Sequence, residues 1–394
     1  MTGIDPNKNR HCEEPLRRSN PERRHSPQGI DAIPNGYGAI LDVDLAAIAA
    51  NWRTLSTLHP SGPVAGVVKA DGYGLGAPEV ATALHGAGCR HFFVAHPTEA
   101  LAIRDRIPGA LLSVLNGLLP GSEDLFIAND IAPVLGSLDE IDAWTAAARR
   151  TGRTLPALLH IDTGMSRLGL TREEVEALAG APDCLAGIDL RYVMTHLVSA
   201  EVPDDPMNAA QRDRFAAACA RLPAAPRSLA NSSGIFLGNG FASDLARPGA
   251  ALYGVNPTPG KSNPMRVAPR LLVRVLQVRD VPAGTPVGYN ATWTASRPSR
   301  IATACLGYAD GWHRSQSGRG AAFFDGQAVP LVGRVSMDLT TYDATDHPGI
   351  VAGAWLELLG PNRSPDEVAE AAGTNGYEVL TSLGRRFHRR YLPA

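Results

Sequence analysis

Eight short apolar segments, rich in Val, Ile and Leu, recur between residues 64 and 254 and alternate with longer stretches of helical composition. They are 64-69 (VAGVVK), 91-96 (HFFVAH), 111-116 (LLSVLN), 131-137 (IAPVLGS), 155-161 (LPALLHI), 189-196 (DLRYVMTH), 227-233 (RSLANSS) and 247-254 (RPGAALYG). The stretches 77-87, 138-150, 171-180 and 207-221 between them read as helices. A spacing of about 20 to 38 residues leaves room for the crossover helix that two parallel strands require. Eight such units predict a (β/α)8 barrel.

From about residue 266 the texture changes. Runs at 271-279, 300-306, 328-335 and 353-359 are separated by Gly, Pro and Asp turns, with one helix candidate at 364-372. This pattern predicts a mainly β second domain, joined through the Pro- and Asn-rich segment 256-266. The expected organisation of the 394 residues is a polar, Arg- and Pro-rich disordered tail at 1-36, a barrel at 37-265 and a β domain at 266-394.

Charge and composition narrow the partners. Lys plus Arg total 37 against 39 Asp plus Glu, a net charge of -2, so no basic field is available to hold nucleic acid. The mean hydropathy is -0.09, and no apolar run approaches the roughly 20 residues a membrane span needs, so a soluble protein without a membrane partner is expected. The five cysteines are widely spaced and form no C-x-x-C pair, which argues against a disulfide framework or a zinc site and fits a reducing compartment. Arg17-Arg18 and Arg23-Arg24 are not followed by an apolar stretch, so export is disfavoured and a cytoplasmic protein is expected.

Reactive residues gather at the C-terminal ends of the predicted barrel strands: Lys69, His160 with Asp162 and Arg167, His196, Ser232 and Arg247. A barrel carries its active site at that end. Lys69 is one of only three lysines in the chain, and it closes an apolar strand in Val67-Val68-Lys69-Ala70-Asp71-Gly72-Tyr73-Gly74. Desolvation there would lower the amine's pKa, making it a nucleophile towards an aldehyde and a usable base. The bland alternative is an ammonium that snorkels out of the strand end. The adjoining glycines and Tyr73 suit close approach of a phosphate.

V-V-K-A-D-G-Y-G resembles the pyridoxal-phosphate signature of the bacterial alanine racemases, a fold type III isomerase family in which this lysine bonds the cofactor. Further segments follow in the family's order: His160-Ile161-Asp162-Thr163-Gly164-Met165-Ser166-Arg167, Thr195-His196, Asn231-Ser232, Arg247-Pro248-Gly249, Gly288-Tyr289-Asn290-Ala291-Thr292-Trp293, Gly307-Tyr308-Ala309-Asp310-Gly311 and Gly333-Arg334-Val335-Ser336-Met337-Asp338. The resemblance spans roughly residues 38-390 and implies a barrel followed by a β domain.

The same resemblance implies interconversion of L-alanine and D-alanine on pyridoxal 5'-phosphate by two bases, with no metal. Lys69 takes the proton of D-alanine and Tyr289 that of L-alanine, with His196 and Arg167 beside Tyr289 to ease ionisation of a phenol whose ordinary pKa is about 10. Tyr73, Ser232 and the backbone around Gly249 hold the phosphate, and His196 belongs to the cofactor pocket. Arg247 faces the pyridine nitrogen and keeps it unprotonated, which disfavours transamination. The substrate carboxylate meets Arg167 and the backbone of Met337. Tyr289 and Met337 reach the site from the partner subunit of a head-to-tail homodimer with shared active sites. The implied role is supply of D-alanine for peptidoglycan of the cell wall.

Two positions depart from the family pattern. His160 stands where many members carry a carbamylated lysine or an asparagine, and a histidine forms no stable carbamate, so Arg167 has to be oriented by other groups. Arg385 stands where many members have a tyrosine near the site entrance. Both bear on substrate breadth. Three alternatives share parts of the pattern: a racemase admitting serine, lysine or arginine, a pyridoxal-phosphate decarboxylase of barrel-plus-β design, and a non-catalytic carrier of the cofactor. Size discrimination in a pocket is worth only about 1-3 kcal/mol per methylene. The decarboxylases use a cysteine motif not found in the second domain, and the carriers are lone barrels.

Overall fold

In the computed structural model, which describes residues 36-394, the first strand, β1 (Ala39–Asp44), leads into a helix (Leu45–Leu58). Asp44 caps that helix, its carboxylate accepting from the Ala47 N–H at 2.8 Å. Apart from Gly36, the tail expected at 1-36 lies outside the described residues.

Seven parallel strands then pair with one another in chain order: β2 (Gly66–Val67), β3 (His91–Val94), β4 (Leu111–Val114), β5 (Ala132–Leu135), β6 (Leu155–His160), β7 (Ile188–Met194) and β8 (Arg227–Ser228). Their short, almost continuously apolar sequences fit strands buried on both faces. Ala65, Val67, Phe93, Val134, Leu158, Tyr192, Met194 and Leu245 fill the interior. Helices Ala77–Gly86, Leu138–Thr151, Arg172–Gly180 and Pro206–Cys219 occupy the connections predicted to be helical.

The eighth position differs from expectation. The run 247-254 is not a strand: Ala250–Tyr253 form a 3-10 turn. The ring is instead closed by two residues just upstream, Leu245 bridging Ser228 and Ala246 bridging Val64, both in parallel sense. Pro248 cannot donate to a ladder and Gly249 breaks the extended path, so the chain turns inwards at Arg247. Likewise, the run 227-233 is extended only over Arg227–Ser228.

The second sheet has the order β14-β13-β16-β9-β1-β17, with β12 and β15 joined through β9. Its members are β9 (Pro269–Val281), β12 (Ser299–Ala304), β13 (Ala321–Phe324), β14 (Gln327–Pro330), β15 (Thr340–Asp343), β16 (Trp355–Leu359) and β17 (His388–Leu392); β10 (Pro286–Val287) and β11 (Trp293–Thr294) form a separate hairpin. β1 therefore does not belong to the barrel sheet. It lies between β9, antiparallel, and β17, parallel. Asp42, 5% exposed, accepts two hydrogen bonds from Arg390 at 2.6 and 2.7 Å across the β1–β17 pair, the bidentate geometry that favours Arg with a carboxylate. Besides the expected helix, Pro365–Ala372, a second one follows at Gly376–Ser382. Among the described residues no helix is long and apolar enough to cross a membrane.

Candidate active site

Lys69 follows β2 after one intervening residue, Val68, where the chain leaves the barrel sheet. The next five residues, Ala70, Asp71, Gly72, Tyr73 and Gly74, all have φ between 53° and 80°. A left-handed turn of this kind costs roughly 1-2 kcal/mol for each residue with a Cβ, so it persists only where other contacts hold it. Those contacts are visible. The Ala70 N–H donates to Glu99 Oε1 at 2.7 Å, the Ala77 N–H to Asp71 Oδ1 at 2.9 Å, and Arg389 Nη1 to the Gly74 carbonyl at 2.6 Å. A Cβ on Gly74 would lie 2.3 Å from the Leu380 carbonyl oxygen, so only glycine lets the turn lie against helix Gly376–Ser382. The strained turn holds Lys69 half-buried at the barrel mouth. Burial and the Arg167 charge lower its pKa, with Glu99 opposing, so more of the amine is unprotonated near neutral pH than in an ordinary lysine.

The floor of the cleft is cationic. Arg247 is 5% exposed and donates to Ser228 Oγ and to the Thr195 carbonyl. Burial lowers its pKa to about 10, which leaves it charged at neutral pH. Burial together with Arg247, Lys69 and Arg167 holds His196 down to about 3. His160, at the end of β6, is held to about 4 by burial and Arg247. Both imidazoles are thus neutral beside three cations, an arrangement that favours anionic ligands.

One wall is shaped for a small anion. Ser232 Oγ accepts from the Gly249 and Ala251 N–H groups at 3.0 and 3.3 Å. A Cβ on Gly249 would come within 2.1 Å of Tyr73 Oη, so the glycine is what admits the phenol. Burial keeps Tyr73 protonated, and its ring stacks on Tyr253 at 4.7 Å. The hydroxyls of Tyr73 and Ser232 with the backbone of Gly249 suit the phosphate of pyridoxal phosphate, Arg247 suits its ring nitrogen, and Lys69 its aldehyde. The residues present fit the cofactor expected from the sequence.

These groups line one cleft of ≈ 550 Å³ that brings together Lys69, Tyr73, Arg167, His196, Ser232, Arg247 and Gly249. Its other side is formed by Asn375, Tyr377, Glu378 and Thr381 of the second domain. Tyr377 thus provides a tyrosine at the mouth, whereas Arg385 is exposed and outside the lining. Tyr289 and Met337 are not brought to Lys69 within the chain. They lie outside this cleft and are 68% and 54% exposed. Sequence reasoning missed Glu99 and the lining role of the 375-381 segment, having put Arg385 at the entrance instead. Glu99 sits in an ordinary first helical turn, and the segment lies some 300 residues from Lys69, so neither carries a local signal.

The family model for the alanine racemase N-terminal domain matches residues 43-257, and that for the C-terminal domain matches 268-391. The chain is 56% identical over 349 residues to an alanine racemase of Acidiphilium cryptum, covering 89% of this chain and 97% of that protein. It is 48% identical over 376 residues to a protein of Mesorhizobium japonicum named as a catabolic alanine racemase, covering 95% and 98% of the two. Among solved structures, the alanine racemase of Bartonella henselae with covalently bound pyridoxal phosphate superposes with a TM-score of 0.87 at 40% identity, covering 90% of this chain and 99% of that one.

Proposed function

The chain belongs to the alanine racemase family of pyridoxal-phosphate-dependent isomerases, and on that premise we propose that it interconverts L-alanine and D-alanine with one base on each face of the cofactor, Lys69 from one protomer and Tyr289 from its partner. The observation that carries the proposal is the half-buried Lys69 amine, its pKa lowered, facing the cradle of Tyr73, Ser232 and Gly249 in one cleft.

Bound pyridoxal phosphate supplies an aldehyde and a conjugated ring that draws electrons away from the α-carbon, so that its proton can be removed. Lys69 would be the residue to which it attaches. The Lys69 amine would take or return a proton on one face, and the downward shift of its pKa favours the unprotonated form that a base needs. Tyr289 does the same on the other face. Arg167 holds the substrate carboxylate, and the backbone of Met337 completes that contact. Arg247 would donate to the ring nitrogen and, keeping its own proton, would leave that nitrogen neutral. His196, unprotonated down to about pH 3, adds no further positive charge beside it.

The exposure of Tyr289 and Met337 in the protomer supports a homodimer in which each chain completes the other's site. Supply of D-alanine for peptidoglycan in the cytoplasm is the physiological role we favour. Consumption of alanine is the second reading, prompted by the relative named as catabolic.

Incubation of the purified holoenzyme with single L-amino acids, followed by chiral chromatography, tests the proposal. D-alanine is the expected predominant product, and borohydride is expected to trap the cofactor on Lys69 alone. Predominant turnover of a bulky cationic amino acid, or trapping at another amine, overturns it.

A further inference from the structure

We propose that Gln211 is a positioning residue of this site, fastening the loop that carries Arg167 to the loop that carries His196. The inference rests on the reading of Arg167 as the group that holds the substrate carboxylate.

Gln211 lies on the helix Pro206–Cys219 and is 0% exposed. Its Nε2 donates to Thr163 Oγ1 at 3.0 Å and to the His196 carbonyl at 2.9 Å, and its Oε1 accepts from the Val198 N–H at 2.8 Å. These partners allow one orientation of the amide only, because a flipped group would set its oxygen against the His196 carbonyl and its NH2 against an N–H. A buried amide with both ends engaged is a rigid link, and breaking it leaves unpaired polar groups in the interior.

One end of the link reaches the loop that carries Arg167. Thr163 Oγ1 also bonds Thr195 Oγ1 at 2.8 Å, and the Thr163 carbonyl accepts from Arg214 Nη1 at 2.8 Å. From there the chain folds around Asp162, whose Oδ1 accepts from the N–H groups of Gly164, Met165 and Ser166 at 2.9, 2.9 and 3.1 Å. Gly164 and Ser166 take up positive φ values of 136° and 57° to allow it. Only this wound segment separates Thr163 from Arg167, so the place of Thr163 sets where the arginine starts. The other end grips residues 196-198 on either side of Leu197, and the Thr195 carbonyl accepts from Arg247. His196, Arg247 and Thr163, at the root of the loop that carries Arg167, thus belong to one hydrogen-bonded unit with Gln211 at its centre. With His160 at the position where the family resemblance expects a carbamylated lysine, the proposal is that this unit fixes the backbone from which Arg167 projects.

Holoenzyme carrying Gln211→Met or Thr163→Val keeps the side-chain volume nearly unchanged and loses the links, whereas Thr163→Ser keeps the hydroxyl. KM and kcat for L-alanine, bound-cofactor absorbance and Tm are measured for each, with Arg167→Leu as the reference. Gln211→Met and Thr163→Val are expected to raise KM about tenfold, with a smaller change in kcat and the cofactor absorbance retained. Thr163→Ser should stay within about twofold of the parent because its hydroxyl restores the link. A lower Tm with unchanged KM and kcat in both Gln211→Met and Thr163→Val would make the link purely structural and overturn the proposal. Should Gln211→Met not fold, Thr163→Val against Thr163→Ser decides by the same criterion. If Arg167→Leu raises KM while the link variants do not, the positioning role alone fails. If Arg167→Leu leaves KM unchanged, the underlying reading of Arg167 fails as well.

Discussion

Lys69, Arg247 and His196 sit in a cleft walled by the barrel mouth and the segment 375-381, whereas Tyr289 and Met337 stand on the surface of the second domain. The first group is tuned by burial: His196 is held near 3, Arg247 near 10, and Lys69 is lowered. The second group has no such surroundings within its own chain. The contrast teaches that the groups fitting the cofactor are gathered within one chain, whereas the proposed second base finds no comparable surroundings in its own chain. Burial does chemical work in the barrel by raising the cost of charge. In the second domain the exposed Tyr289 and Met337 meet no such cost.

The largest effect expected from this contrast is at Tyr289. Tyr289→Phe should keep bound-cofactor absorbance and lose about 10²- to 10⁴-fold in turnover, the usual share of a positioned acid or base. A loss of less than a few-fold would place the second base elsewhere. A mixing experiment sharpens the point. Lys69→Ala and Tyr289→Phe proteins, each inactive alone, should recover about a quarter of parental activity after subunit exchange at equal amounts, because half of the dimers are mixed and each mixed dimer has one intact site. No recovery would mean that both bases come from one chain. The smallest effect concerns stability. His160 and His196 are neutral in the fold down to about pH 4 and 3 but titrate near 6.5 when unfolded. The unfolded chain therefore binds more protons below pH 6.5, and stability should fall as the pH drops from 6.5 towards 4. His160→Asn should flatten that fall in calorimetric Tm by a few degrees, and an unchanged slope would show that His160 is not held neutral.

Much of the barrel half was legible because its signals are local. A lone lysine closing an apolar strand before Gly72 and Gly74 marks both an unusual amine and a turn that needs glycine. The run from Arg247 to Gly254 was legible as a site but not as a turn, since its apolar composition imitates a strand until Pro248 and Gly249 are weighed against the ladder they would interrupt. β1 was harder still. Ala39–Asp44 is not among the apolar runs read as strands, and its partners are β9 and β17, more than two hundred residues away. Gln211 reads as a polar position on a helix surface, yet it is completely buried against Thr163, His196 and Val198.

The amino-acid order alone determined the alternation of strands and helices, the cationic character of the barrel mouth and the identity of the amine, because periodicity and residue chemistry are properties of neighbours in the chain. Tertiary structure decided which residues close the ring, which strand crosses to the other sheet, which histidines stay neutral and which side chains are left outside the cleft. Those outcomes depend on burial and on hydrogen bonds between distant segments, and both exist only once the chain has folded upon itself.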